Sequence, residues 1–266
     1  RWRGWRGVSG PNRGNHSAWS SVGIQGEERR TMSEQQPAEG ADRPRPVIEV
    51  TIAAPVEAVW ASLRDPALIR RWHGWHYEGL DDEVALIFGT EGADDDAHVL
   101  QANAGDRFEV EAVEGGSRVR ITRAAFVPGD EWSAYYDDIT DGWVSFLNQL
   151  RFMHEQHPDA ERRTVFLMGR GRPGAIERLL DSVPTAVGEL VYSADRQRGV
   201  LLPDLGPGLL IAVAKEPAPD ETGALIVDAS AIVTSYGRDE GEFDGDWKRW
   251  DAWWRVEFPD AAPAQI

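Results

Sequence analysis

Residues 47–72, VIEVTIAAPVEAVWASLRDPALIRRW, decide how this chain folds. Residues 47–53 alternate, with Val47, Glu49 and Thr51 on one side and Ile48, Val50 and Ile52 on the other. That is a strand with one face turned to a core. Ala54-Pro55 stops it, because proline has no amide to give a ladder. Pro55 also suits the first turn of a helix, and Val56, Val59, Trp60 and Leu63 follow at helical spacing. Asp65-Pro66 opens a second short helix with Leu68, Ile69 and Trp72 as its apolar side.

Outward from this stretch, residues 73–79 (HGWHYEG) form a corner marked by glycines and a change of period. The compact apolar run 83–88 (EVALIF) predicts a strand, and GTEGADDD after it a solvated turn. Residues 97–103 and 107–113 predict a hairpin around Ala104-Gly105-Asp106. Phe108, Val110 and Ala112 share one face, and Glu109 and Glu111 the wet one. Residues 117–126 continue the sheet, with Arg118 and Arg120 placed to meet those glutamates. Asp141 is the expected N-cap of a helix over 142–157, whose stripe is Trp143, Phe146, Leu147, Leu150 and Met153.

The opening stretch, with its apolar strand, Ala-Pro, Val-Trp, Asp-Pro and closing Trp, resembles the SRPBCC (START-like, helix-grip) superfamily. Within it, the pattern is similar to the Aha-type branch, the activators of the heat-shock ATPase. A second mark is Gly142-Trp143 in the long helix, and the resemblance spans residues 47–157. It implies an α+β helix-grip fold, a curved antiparallel sheet wrapped around a long C-terminal helix. It also implies a cavity between sheet and helix, lined or rimmed by Trp60, Trp72, His73, His76, Tyr135, Trp143, Phe146, Leu147 and Leu150. The bland alternative is that the helical stripe only packs a core.

Beyond this domain, placed at 47–158, residues 159–173 read as a linker, with one short strand at 164–168. A second, smaller α+β domain is expected over 174–259, with a tail at 260–266. It comprises a helix at 175–183, a hairpin at 188–204 turning near 196–199, strands at 208–214 and 224–234, and a helix at 246–258. FDGDWKRWDAWW echoes DITDGWVSFL, which suggests a degenerate second grip-like unit; the rival is a simple extension of the first sheet. Trp247, Trp250, Trp253 and Trp254 exceed what a narrow core stripe needs, so that helix is expected to seal an interface with the first domain or another subunit.

The formal charge of −17 argues against a nucleic-acid partner. No apolar run reaches the roughly 18 residues of a membrane span. The lack of cysteine removes thiolate ligands and thiol nucleophiles, and suits a reducing, cytoplasmic compartment. Residues 1–46 are expected to lie outside the fold as a disordered leader, with 1–31 as translated upstream sequence before a start at Met32.

No serine elbow, P-loop or dinucleotide fingerprint is present. His73 and His76 form H-x-x-H near Glu78, but the glycine between them spoils a shared helical face, so neither metal nor cofactor is expected. His154 and His157 suit the C-terminal end of the long helix dipole. Three functions follow. The first is non-enzymatic binding of a small apolar or aromatic ligand. The second is a co-chaperone-like interaction module meeting a chaperone or a second copy through the Trp-rich helix. The third is a cyclase-like enzyme using His73 or His76, and whether the chain is an enzyme stays open.

Overall fold

The computed structural model describes residues 43–129, 133–157 and 159–266. The expectations for residues 1–31 and a start at Met32 lie outside them. The described chain is α+β, with two separate antiparallel sheets.

The first sheet begins with β1 (Val47–Ile52), whose alternation buries Ile48, Val50 and Ile52. Helices α1 (Val56–Arg64) and α2 (Pro66–Ile69) follow, and the Asp65 side chain caps α2 by accepting from the Ala67 amide at 2.8 Å. Next comes α3 (Leu80–Phe88), a helix where a strand was expected. Leu80, Glu83, Val84, Ile87 and Phe88 are its buried positions, a helical repeat that starts ahead of the compact apolar run. Asp81, Asp82 and Glu83 fill its first turn, where the helix dipole favours acids.

Strands β2 (Ala93–Asp94), β3 (Val99–Gln101), β4 (Arg107–Val113) and β5 (Gly116–Thr122) then run as a meander. β5 returns beside β1, giving the order β1-β5-β4-β3-β2. The wet face carries Arg120–Glu49 and Arg118–Glu111 ion pairs. Helix α4 (Tyr136–Gln156) packs on this sheet against β1. It starts well before the expected position, so Asp141 is not a cap. Asp141 lies within the helix and pairs with Arg196 at 2.7 Å.

The second sheet begins with β6 (Arg162–Gly171), a strand over most of the stretch read as a linker. Its glycines misled. Gly169 and Gly171 are strand residues overlain by Phe258; a Cβ on either would come within 2.7 Å of that side chain. After β6 come α5 (Ala175–Leu180), β7 (Leu190–Ala194), β8 (Gln197–Leu202), β9 (Gly208–Ala214), the two-residue β10 (Ala218–Pro219), β11 (Leu225–Tyr236) and α6 (Glu240–Glu257). α6 starts ahead of the expected residue 246. Its start is a capping box in which the Asp239 side chain accepts from the Glu242 amide and Glu242 reaches back to the Asp239 amide.

The order of the second sheet is β6-β11-β9-β8-β7, with β10 pairing only the start of β11. Strand, helix, meander, a last strand returning beside the first and a long closing helix therefore occur twice. α6 packs on β6 as α4 packs on β1.

The layers run first sheet, α4, second sheet, then α5 and α6. The apolar stripe of α4 faces the first sheet, while Leu209, Ile211, Ile232 and Tyr236 of the second sheet close the same core. The opposite face of the second sheet packs on Ile176, Leu179, Trp250, Trp253, Trp254 and Phe258. The tail is also held: Gln265 pairs with Phe166 through both backbone bonds at 2.9 Å, covering the outer edge of β6.

Candidate functional site

Six of the nine candidate residues meet in one aromatic cluster between the first sheet and α4. Trp72, His73, Trp143, Phe146, Leu147 and Leu150 are all buried there, joined by Phe88 and Phe108. The ring of His73 lies 4.9 Å from Phe146, 5.3 Å from Phe88 and 5.6 Å from both Trp143 and Trp72. Trp143 stands edge-on to Phe108 at 5.0 Å. The rings fill one another's edges and faces, the arrangement aromatic quadrupoles favour.

Trp60 and Tyr135 stand at the margin of this cluster. Trp60 donates its indole N–H to Asp95 at 2.9 Å and meets His98 edge-on, while Tyr135 is half-buried just before α4. His76 does not join. Its backbone N–H donates to Thr164 Oγ1 at 2.7 Å, and the residue faces β6. Burial, with the charges of Arg162 and Arg163, pushes its pKa down to about 4. The two histidines of H-x-x-H thus serve different neighbours. Among the described residues no cluster of three or more His, Cys, Asp or Glu could hold a metal.

The polar groups inside the cluster come mostly from residues the sequence reading passed over. His73 Nε2 lies 2.8 Å from Glu83 Oε1, and the Tyr77 hydroxyl donates to Glu83 Oε2. A carboxylate at Nε2 calls for a proton there, and His73 Nδ1, also buried, has no hydrogen-bond partner among the described residues. Glu83 was hidden because it opened an apparent strand; its helical place beside Leu80, Ile87 and Phe88 was the available signal.

Asp106, fully buried, forms an ion pair with Arg123 and accepts from Trp143 Nε1 and the Ala124 amide, each at 2.8 Å. Arg123 also lies 4.8 Å from the Tyr136 ring centre. Arg162, buried to 2% exposure, donates to the carbonyls of His73 and Gly74 and so holds the corner onto β6. Burial lowers its pKa to about 10. Arg162 sat in the charged stretch read as a linker, so composition gave no sign of it.

Neither His154 nor His157 acts as a charged partner of the helix dipole. His154 Nε2 lies 3.0 Å from Ser62 Oγ, and burial lowers its pKa. His157 donates to the Pro207 carbonyl at 2.8 Å and stacks on Tyr236; burial again lowers its pKa, against that carbonyl. The Ser62–His154 contact is not a nucleophile and base. Ser62 is 1% exposed and its hydroxyl also reaches the Ala58 carbonyl at 3.1 Å.

The Trp-rich helix is mostly consumed within the second unit. Trp250, Trp253 and Trp254 are buried against the second sheet, and Trp253 donates to the Leu179 carbonyl at 3.1 Å. Their spacing turns three rings to one face, so they build a core rather than a surface for the first domain or another subunit. Trp247 is partly buried and donates to Asp244 at 3.2 Å.

No protein-family model matches the chain, and no curated protein matches it. Two solved structures do. One is the crystal structure of DynU16, a protein of the dynemicin biosynthetic locus, at 16% identity over 79% of this chain and 94% of that one, with a TM-score of 0.24. The other is SA2116 from Staphylococcus aureus, a protein of unknown function, at 8% identity over 77% of this chain and 80% of that one, with a TM-score of 0.13. Likenesses of this size carry no argument about fold or activity. The described residues thus form an α+β structure of two antiparallel sheets, and among them no helix is long and apolar enough to cross a membrane.

Proposed function

We propose that this is a non-enzymatic protein of the helix-grip kind. In this reading it takes a small apolar or aromatic molecule between its first sheet and α4. The observation that carries this is His73: a fully buried imidazole, ringed by Trp72, Phe88, Trp143 and Phe146, with one nitrogen fixed by Glu83 and the other without a partner among the described residues. An apolar lining with few convergent polar groups is the usual lining of a small-molecule site, and here the packed rings must part to admit one. A ligand hydroxyl at Nδ1 would give that nitrogen its missing partner, and the rings would take the apolar body. Binding rather than turnover is favoured because His76 faces β6 and Ser62 is enclosed.

Tryptophan fluorescence tests this directly, because Trp72 and Trp143 touch the His73 ring. Titration with monocyclic and bicyclic phenols should give a saturable change. His73→Gln, which keeps a donor near Glu83 but removes Nδ1, should abolish the preference for a phenol over its hydrocarbon. No saturable response to any of these compounds would overturn the reading.

A further inference from the structure

The second unit holds a hollow of about 170 Å³ on the face of its sheet away from α4, beneath the N-terminal end of α5. The repeated connectivity explains why space is left there. β9 stands in the second sheet where β4 stands in the first. β4 presents Phe108 and Val110 to its core, whereas β9 presents Leu210, Ala212 and Ala214. Three helices, α1 to α3, pack into the core of the first unit between its first strand and its meander; the six-residue α5 stands alone at that point of the second. Small side chains under a short helix leave a floor of Ala212, Ala214 and Val227 with Ile176 as one wall.

The charges around the hollow are not equivalent. Lys215 is held by Asp138 at 2.6 Å and Arg196 by Asp141 at 2.7 Å, both carboxylates on α4. Arg198 has no carboxylate partner among the described residues. Its neighbour Gln197 points toward α4, bonding Ser145 at 2.8 Å, so alternation turns Arg198 to the hollow. Nη1 of Arg198 donates to the Ala194 and Gln197 carbonyls, which fixes the head and leaves Nε and Nη2 as donors. Glu177, Asp195 and Glu216 also line the rim, but all three are exposed, where water and salt screen them.

We propose that this hollow is a second ligand site, separate from the aromatic cluster, and that it takes a small carboxylic acid with an apolar body. The carboxylate is read by the Nε and Nη2 face of Arg198, and the body lies on Ala212, Ala214 and Val227. A cavity of roughly 150 Å³ holds a benzene ring, so the fitting class is a single-ring or short-chain acid. A guanidinium fork matches a carboxylate in two parallel bonds, which a neutral amide cannot reproduce.

The test uses the full chain at about 0.15 M salt, with benzoate, phenylacetate and hexanoate as probes and their amides as controls, followed by ligand-observed NMR. The acids should bind saturably and in preference to the amides. Arg198→Gln should weaken the acids about tenfold or more, the loss of a charge-assisted bond, and leave the amides unchanged. Ala214→Leu should fill the hollow and block both. Circular dichroism checks that each variant is folded; the half-exposed Arg198 site keeps the test informative should Ala214→Leu not fold. The proposal is overturned if no acid binds at millimolar concentration, if amides bind as well as acids, or if Arg198→Gln leaves the acids unaffected. Neither variant touches His73, so this result and the phenol titration succeed or fail independently.

Discussion

Asp106 is buried and charged, and it ties three parts of the first unit together. It meets the Arg123 guanidinium, the Trp143 indole and the Ala124 amide, so the end of the sheet is fixed to α4. A buried pair is weak support by itself, but removing one partner strands the other charge. Asp106→Asn should therefore cost about 3–5 kcal/mol, measured as a lowered urea midpoint; a cost under about 1 kcal/mol would mean that Arg123 finds water instead. His76 gives a pH-dependent counterpart. Its folded pKa of about 4 lies below the ordinary 6.5, so between these values the unfolded chain binds a proton that the folded chain refuses. Its contribution is full above about pH 6.5 and is lost as pH falls toward 4, and His154 and His157 are pushed the same way. Urea midpoints should fall across that window, and His76→Gln should flatten part of the slope. A variant profile parallel to the wild type would assign the slope to other groups. None of these buried roles was legible in the sequence. Asp106 looked like a turn residue and Arg162 like part of a linker, because burial of a charge depends on partners far along the chain.

At the scale of elements, the alternation of β1, the proline start of α1 and the Asp-Pro start of α2 were readable because each is set by near neighbours. β6 and α3 were not. A short apolar run such as EVALIF fits helix and strand alike until its flanks are placed in space. The glycines of β6 read as a linker, yet they mark where α6 and its following residue settle on the sheet. Phe258 is fully buried over Gly169 and Gly171. Gly169→Ala should cost about 1–3 kcal/mol by overpacking, and Phe258→Ala about 3–5 kcal/mol by leaving a cavity. Combined, the two should cost clearly less than their sum, because the added methyl enters space the ring has left. Strict additivity in thermal denaturation would show that the glycine serves some other purpose. The capping box at Asp239 was visible in the sequence as D-x-x-E, ahead of the apolar spacing that set the expected start too late.

At the scale of the whole molecule, α4 packs between the two sheets of the described residues. That helix turns Trp143, Phe146 and Leu150 to the first sheet and presents Ser145, Gln149 and Phe152 to the second. Gln149 donates to the Gly74 carbonyl at 3.1 Å and accepts from Thr234 at 2.7 Å, so one side chain links the corner of the first unit to β11 of the second. A helix buried on both sides cannot release one sheet without exposing apolar surface to water. The two units should therefore unfold together, despite their repeated connectivity and separate sheets. Calorimetry should give one transition whose calorimetric and van't Hoff enthalpies agree. Phe152→Ala, expected to cost about 3–5 kcal/mol, should lower that single transition without splitting it. A second, resolved transition in the wild-type chain would mean that the α4 contacts with β8, β9 and β11 are too weak to couple the units. The hollow under α5 would then belong to a domain that folds by itself, and residues 159–266 made alone should melt at that second temperature.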